Sequence, residues 1–271
     1  MRPQRIIGRY TGEEKGPLLI VVGGMHGNEP AGMKALERMF DMLKVEPDHN
    51  PAFRFKGRML GLRGNTRAIG KNLRFIDKDF NRIWTKKHVD KIKASAIGQL
   101  QNEDLELREM IDLIEAEIAS YQPDKIILLD LHTTTAHGGI FSIPSSEKGS
   151  LDVALELHAP VILGLIKGID GTLLHYFRTE NIKTKTVSVA FESGQHQEGL
   201  SVNRAIAAIT NCLRTIGCVQ AEHIENKHDE LLMTYSKNLP KITELITVHR
   251  IKEGDDFKIC LLYTSPSPRD S

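Results

Sequence analysis

The chain has 271 residues, 40% of them hydrophobic, enough to bury a full core in one large α/β domain with or without a small appendage. Its 36 basic and 35 acidic residues leave a net charge of +1, which excludes a general attraction to nucleic acid or to an anionic membrane surface. Cys212, Cys218 and Cys260 support neither a disulfide framework nor a cysteine zinc site, no apolar run reaches the ~20 residues of a membrane span, and Met1 to Arg5 lacks a signal-peptide core, so the cytoplasm is the expected location.

The first predicted element is a buried strand, Leu18 to Gly24, followed by Met25-His26-Gly27-Asn28-Glu29-Pro30. His26 and Glu29 therefore leave its carboxyl end, where open α/β sheets place ligands. The loop has neither the spacing nor the lysine of a phosphate cradle. Met33, Leu36, Phe40 and Leu43 recur at helical spacing, and Phe55 to Leu62 reads as a strand. Gly64 to Trp84 then runs without clear periodicity, and long loops of this kind are more often functional than idle. It carries Asn65, Arg67, Arg74, Asp79, Asn81 and Arg82.

Leu107, Ile111, Ile114, Ile118 and Tyr121 mark an amphipathic helix, after which Asp124 to Thr134 is a second buried-strand pattern carrying His132 near its end. Thr184 to Phe191 is strand-like and leads into Glu192-Ser193-Gly194. Val202, Ile206, Ile209, Leu213 and Ile216 repeat the helical spacing, with Gly217 as the stop. The alternation of strands and helices predicts an α/β fold with a sheet covered on both faces. Residues 1–219 are expected to form the catalytic domain. Gln220 to Lys237 is polar and reads as a linker, Ile242 to Ile251 as the first strand of a truncated C-terminal β-domain within 220–260, and Leu261 to Ser271 as a translated adapter rather than native protein.

Two histidines and a glutamate at the ends of two buried strands make a zinc set of the open, catalytic type: His26, Glu29 and His132, with one position left for water. Asp130 lies on the same strand face as His132 and is placed to orient it. Arg74 and Arg82 suit separate tasks, one stabilising a developing oxyanion and the other gripping a carboxylate bidentately. Each residue also has a plainer reading: the histidines as structural, Glu192 as a solvated strand-end carboxylate, and the arginines as partners of Asp77 and Asp79. His223 and His228 fall in the polar stretch and read as solvated.

In order along the chain, Gly24-Met25-His26-Gly27-Asn28-Glu29-Pro30, Asn65 with Arg67, Arg74 with Asp79-Phe80-Asn81-Arg82, Asp130-Leu131-His132-Thr133 and Glu192-Ser193-Gly194-Gln195 resemble the succinylglutamate desuccinylase/aspartoacylase family, related to zinc carboxypeptidases. The resemblance implies a mixed, mostly parallel sheet with helices on both faces, and one Zn2+ per chain held by His26, Glu29 and His132. It makes Glu192 the general base, places Arg74 on the scissile carbonyl, and gives Asn81 and Arg82 a substrate carboxylate. No fixed histidine of the family falls at His137 or His196, so neither is counted as a ligand.

The expected reaction is hydrolysis of an N-acyl amino acid, of the succinylglutamate or N-acetylaspartate kind, by metal-activated water. A zinc carboxypeptidase and a non-catalytic relative binding a small carboxylate are the alternatives. The partner expected is a small molecule, with neither nucleic acid nor membrane involved. Whether the chain forms a homo-oligomer cannot be read from the sequence, because no interface is distinguishable from a core face.

Overall fold

The computed structural model describes residues 2–135, 139–220 and 227–247, with 254 and 256. His137, His223 and the tail from Leu261 to Ser271 lie outside the described residues, as does the side chain of His228. The first half contains β1 (Ile6–Thr11), β2 (Glu14–Gly23), α1 (Ala31–His49), β3 (Lys56–Arg63), α2 (Thr66–Lys71), α3 (Lys86–Ala94) and α4 (Asn102–Tyr121). The second contains β4 (Lys125–Thr134), β5 (Phe141–Pro144), α5 (Ser150–Glu156), β6 (Val161–Leu163), α6 (Leu173–Tyr176), α7 (Thr179–Ile182), β7 (Lys185–Gln195), α8 (Leu200–Thr215), α9 (Lys227–Ser236) and β8 (Ile242–Glu244).

The strands form one mixed, mostly parallel sheet in the order β1-β3-β2-β4-β7-β5-β6-β8. Antiparallel pairing is confined to β1 with β3 and β5 with β7. The continuous apolar runs arise because the central strands are covered on both faces. Along β2, Leu19 and Val21 join Ile127 and Leu129 of β4 in a core shared with α1 and α8. The alternate residues Leu18, Ile20 and Val22 pack with Ile126 and Leu128 against α3, α4 and Trp84. Successive strand side chains point to opposite faces, so one uninterrupted run serves two cores.

From β2 the chain crosses to β3 on one side, while β4 lies on the other. The two diverging connections open a crevice at the carboxyl ends of β2 and β4, the place where such sheets bind ligands. Gly24 turns the chain out of β2 at φ +74°, and a side chain on Gly23 would collide with the backbone of Gly32 and Met33. The glycine pair thus lets α1 start close against the strand end.

The C-terminal organisation differs from the sequence expectation. The stretch read as a linker contains α9, which docks on α8: Leu232 is fully buried, Arg214 Nη2 lies 2.6 Å from Asp229 Oδ1, and the Arg204 guanidinium stacks 4.0 Å from the Tyr235 ring centroid. These anchors are scattered among charged residues, which hides them from a composition-based reading. Ile242–Glu244, expected to open a separate β-domain, instead pairs in parallel with β6 at the edge of the main sheet. A strand of three residues can add to an existing edge although it could not nucleate a sheet of its own.

Candidate active site

His26, Glu29 and His132 come together from two strand ends, with ligand atoms within 4.8 Å of one another. All three are buried. His26 Nδ1 lies 2.7 Å from Glu29 Oε1, and His132 Nδ1 lies 3.1 Å from Glu29 Oε2, which also accepts from the Thr133 N–H at 3.0 Å. Each ring turns its other nitrogen to an aspartate: His26 Nε2 is 3.1 Å from Asp79 Oδ1, and His132 Nε2 is 2.9 Å from Asp130 Oδ2. Burial alone would raise the Glu29 pKa, but the hydrogen bonds with His132 and His26 hold it well below the usual carboxylate range. Burial likewise opposes a charge on His132, yet Asp130 and Glu29 together raise its pKa well above the usual value.

This donor set fits a divalent cation such as zinc. Both Nδ1 atoms face the same carboxylate, and both Nε2 atoms are already held by acids, which is how ligating imidazoles are oriented in metal sites. Glu192 stands directly across the β4–β7 ladder from His132. Its Oε2 is shielded from solvent and has no hydrogen-bond partner among the described residues. Burial pushes the Glu192 carboxyl up to about 7, the neighbouring His132 opposing and Glu29 reinforcing the shift.

The long loop is organised by α4. Buried Glu103 accepts from the N–H groups of Ile76, Asp77 and Lys78 at 2.7, 3.0 and 3.2 Å, and from Asn65 Nδ2 at 2.9 Å. Glu106, also buried, accepts from the Thr66 N–H and pairs with Arg5 and Arg67. Asn65 and Arg67 thus brace the loop, and Asn65 caps α2 through the Ala68 N–H. The Gly27 N–H donates to the Arg74 carbonyl at 3.2 Å, tying this loop to the His26 turn.

Arg74 bridges Asp79 at 3.0 Å and approaches Glu29 at 3.6 Å. Asn81 lies 3.2 Å from His132 Nε2 and accepts from the Leu173 N–H at 2.8 Å. Arg82 donates to the Asn81 carbonyl and pairs with no carboxylate among the described residues. One cavity of about 190 Å³ is lined by the metal donors, by Glu192 and by Arg74, Asn81 and Arg82. Asp79 and Asp130 were quoted in the sequence motifs, but only spatial proximity identifies Asp79 as the partner of His26, since 53 positions separate the two. His196 stays apart from the donor cluster, its Nδ1 2.6 Å from the Thr133 hydroxyl.

The family model of the succinylglutamate desuccinylase/aspartoacylase catalytic domain matches residues 15–216, which takes in every motif above. The chain belongs to this family. Its members are deacylating hydrolases. The chain is 28% identical over 120 residues to a probable aspartoacylase of Nostoc sp., covering 44% of this chain and 36% of that protein. It is 32% identical over 141 residues to the succinylglutamate desuccinylase of Pseudomonas fluorescens Pf0-1, covering 51% and 38% respectively. The matched stretches therefore span well under half of these relatives. Among solved structures, the succinylglutamate desuccinylase of Chromobacterium violaceum shares the fold with a TM-score of 0.57 and 16% identity, over 80% of this chain and 72% of that one. A succinylglutamate desuccinylase/aspartoacylase from Rhodobacter sphaeroides gives a TM-score of 0.54 and 19% identity, over 77% and 58%.

Proposed function

We propose that this family member is a zinc-dependent deacylase that hydrolyses the amide bond of an N-acyl amino acid to a carboxylate and a free amino acid. The observation that carries the reading is the convergence on one cavity of a two-histidine, one-glutamate donor set, a carboxyl with a raised pKa and two guanidinium groups. His26, Glu29 and His132 would hold one zinc ion, which supplies Lewis acidity and brings the pKa of water to about 7.

The protein's own groups account for the rest. Glu192, across the ladder from His132 and with Oε2 unpartnered among the described residues, accepts a proton from the attacking water and returns it to the departing amine. Arg74, beside Glu29, faces the oxygen on which negative charge develops. Arg82 and Asn81 hold the substrate carboxylate, the Arg82 guanidinium, which donates to the Asn81 carbonyl and pairs with no carboxylate among the described residues, providing the charge for the grip. Asp79 and Asp130 keep the imidazoles oriented. Metal analysis of the purified protein, followed by amine release from N-acetyl and N-succinyl amino acids, tests the reading. Zinc well below one per chain, or no amine release from any of them, would sink it.

A further inference from the structure

The charge inventory of the cavity is short. Arg74 and Arg82 are its only lysine or arginine side chains among the described residues. Arg74 is already engaged by Asp79 and Glu29, so a single guanidinium remains for an incoming anion. Apart from the Thr172 and Thr133 hydroxyls and the charged and polar groups already named, the lining is apolar: Phe141 and Ile143 come from β5, Leu165, Ile166 and Ile169 from the segment after β6, and Leu174 from α6. The short segment between β6 and α6, which includes a 3-10 turn over Leu165–Gly168, thus contributes branched aliphatic side chains to the lining.

From this we infer that the substrate carries one carboxylate and an apolar remainder, as in an N-acyl leucine or phenylalanine, and that dicarboxylic substrates are rejected. The inference rests on the deacylase reading and narrows its substrate class, away from the succinylglutamate or N-acetylaspartate kind. A second carboxylate seated against this aliphatic lining would be desolvated with no lysine or arginine beyond Arg74 and Arg82 among the described lining residues to pair with it, and an unpaired buried charge is strongly disfavoured. An apolar group is instead transferred out of water at a gain.

The test uses the zinc-loaded protein and four compounds: N-acetyl-L-leucine, N-acetyl-L-phenylalanine, N-acetyl-L-aspartate and N-succinyl-L-glutamate. The apolar pair should exceed N-acetyl-L-aspartate, a dianion, and N-succinyl-L-glutamate, a trianion, in kcat/KM by about 10²-fold, a discrimination that pocket chemistry of this kind supports. Calorimetric binding of the same compounds to the Glu192→Gln protein should give the same ranking without turnover. Ile166 is only half-buried, so Ile166→Lys is expected to fold, to narrow the preference at least tenfold and to improve binding of N-acetyl-L-aspartate.

Preferential cleavage of the two polyanions overturns the inference and leaves the deacylase reading standing. If nothing is cleaved, the deacylase reading falls and binding decides the pocket: tighter binding of the apolar pair supports the inference, while tighter binding of the polyanions, or binding of neither, overturns it. An Ile166→Lys protein with an unchanged preference also overturns it, because the wall would then not touch the substrate.

Discussion

Asp130 and His132 project from the same face of β4, and the carboxylate of the first lies 2.9 Å from Nε2 of the second. The i, i+2 geometry of a strand enforces this contact, leaving Nδ1 to point at Glu29. Asp79 does the same for His26 from a distant loop. Asp130→Asn and Asp79→Asn should each weaken zinc affinity by about 10–100-fold, as loss of such supporting partners does. Competition with a chelator of known affinity measures it. Unchanged affinity in both variants would show that Glu29 alone orients the rings.

Glu192→Gln should lower kcat by about 10²–10⁴-fold while zinc stays near one per chain. The same substitution makes an opposite prediction for stability. The folded pKa of Glu192 is raised from 4.5 to about 7, so the folded state resists ionisation there. Its contribution is full below pH 4.5 and is lost as pH rises through 7. The metal-free Gln variant should therefore be more stable than the parent at pH 8, by about 1–3 kcal/mol, and equal to it at pH 4. Urea denaturation at the two pH values checks the sign. Added zinc should shrink the difference, since a nearby cation favours the carboxylate.

The binding side of the cavity divides from its chemistry. Arg82→Ala should raise KM with little change in kcat, because a carboxylate grip contributes mainly uniform binding. Arg74→Ala should lower kcat instead, as loss of an oxyanion partner does. Steady-state kinetics of the two variants separate the roles; losses confined to kcat in both would assign Arg82 to the reaction centre as well.

The loop that carries these arginines depends on one buried acid. Glu103→Gln removes the charge that receives three successive backbone N–H groups and turns an amide N–H2 toward donors. Hydrogen bonds to charged groups are worth about 1.5–3 kcal/mol each, so a loss of about 2–4 kcal/mol is expected. Amide hydrogen exchange should rise first at residues 76–78. Glu106 adds an acid sensitivity. Burial opposes its ionisation, but Arg5 and Thr66 lower its pKa below 4.5, so its contribution is full above that value and is lost as pH falls.

The sequence made the central strands legible because β2 and β4 are covered on both faces and so appear as unbroken apolar runs. It brought forward His26, Glu29 and His132, which the fold gathers into one group able to hold a metal, because strand ends in such sheets carry sites. The pairing of Asp79 with His26 and the grip of Glu103 on the loop were not legible, since both join residues more than twenty positions apart through polar atoms that leave no periodicity. Nor were β1, β5 and β6: β5 and β6 have only four and three residues, and β1 is an edge strand with little of its surface buried. The aliphatic lining of the pocket escaped for a related reason, because Leu165, Ile166 and Ile169 lie in and just after a single 3-10 turn, Leu165–Gly168, too short to show a periodicity.

The division at residue 219 expected from composition is open to a direct test. Leu232 of α9 is fully buried against the α8 side of the sheet, and Asp229 and Tyr235 flank it with an ion pair and a cation–ring stack onto α8. If α9 belongs to the same cooperative unit as the sheet, Leu232→Ala leaves a cavity in the main core and should cost about 2–5 kcal/mol. The loss should appear in a single denaturation transition followed by Trp84 fluorescence, because Trp84 lies in the core on the opposite face of the sheet. A linker or separate domain makes the contrary prediction: the Trp84 transition would stay within about 0.5 kcal/mol of the parent, as for a surface substitution. That outcome would restore the boundary at 219 and confine the stable unit to β1 through α8.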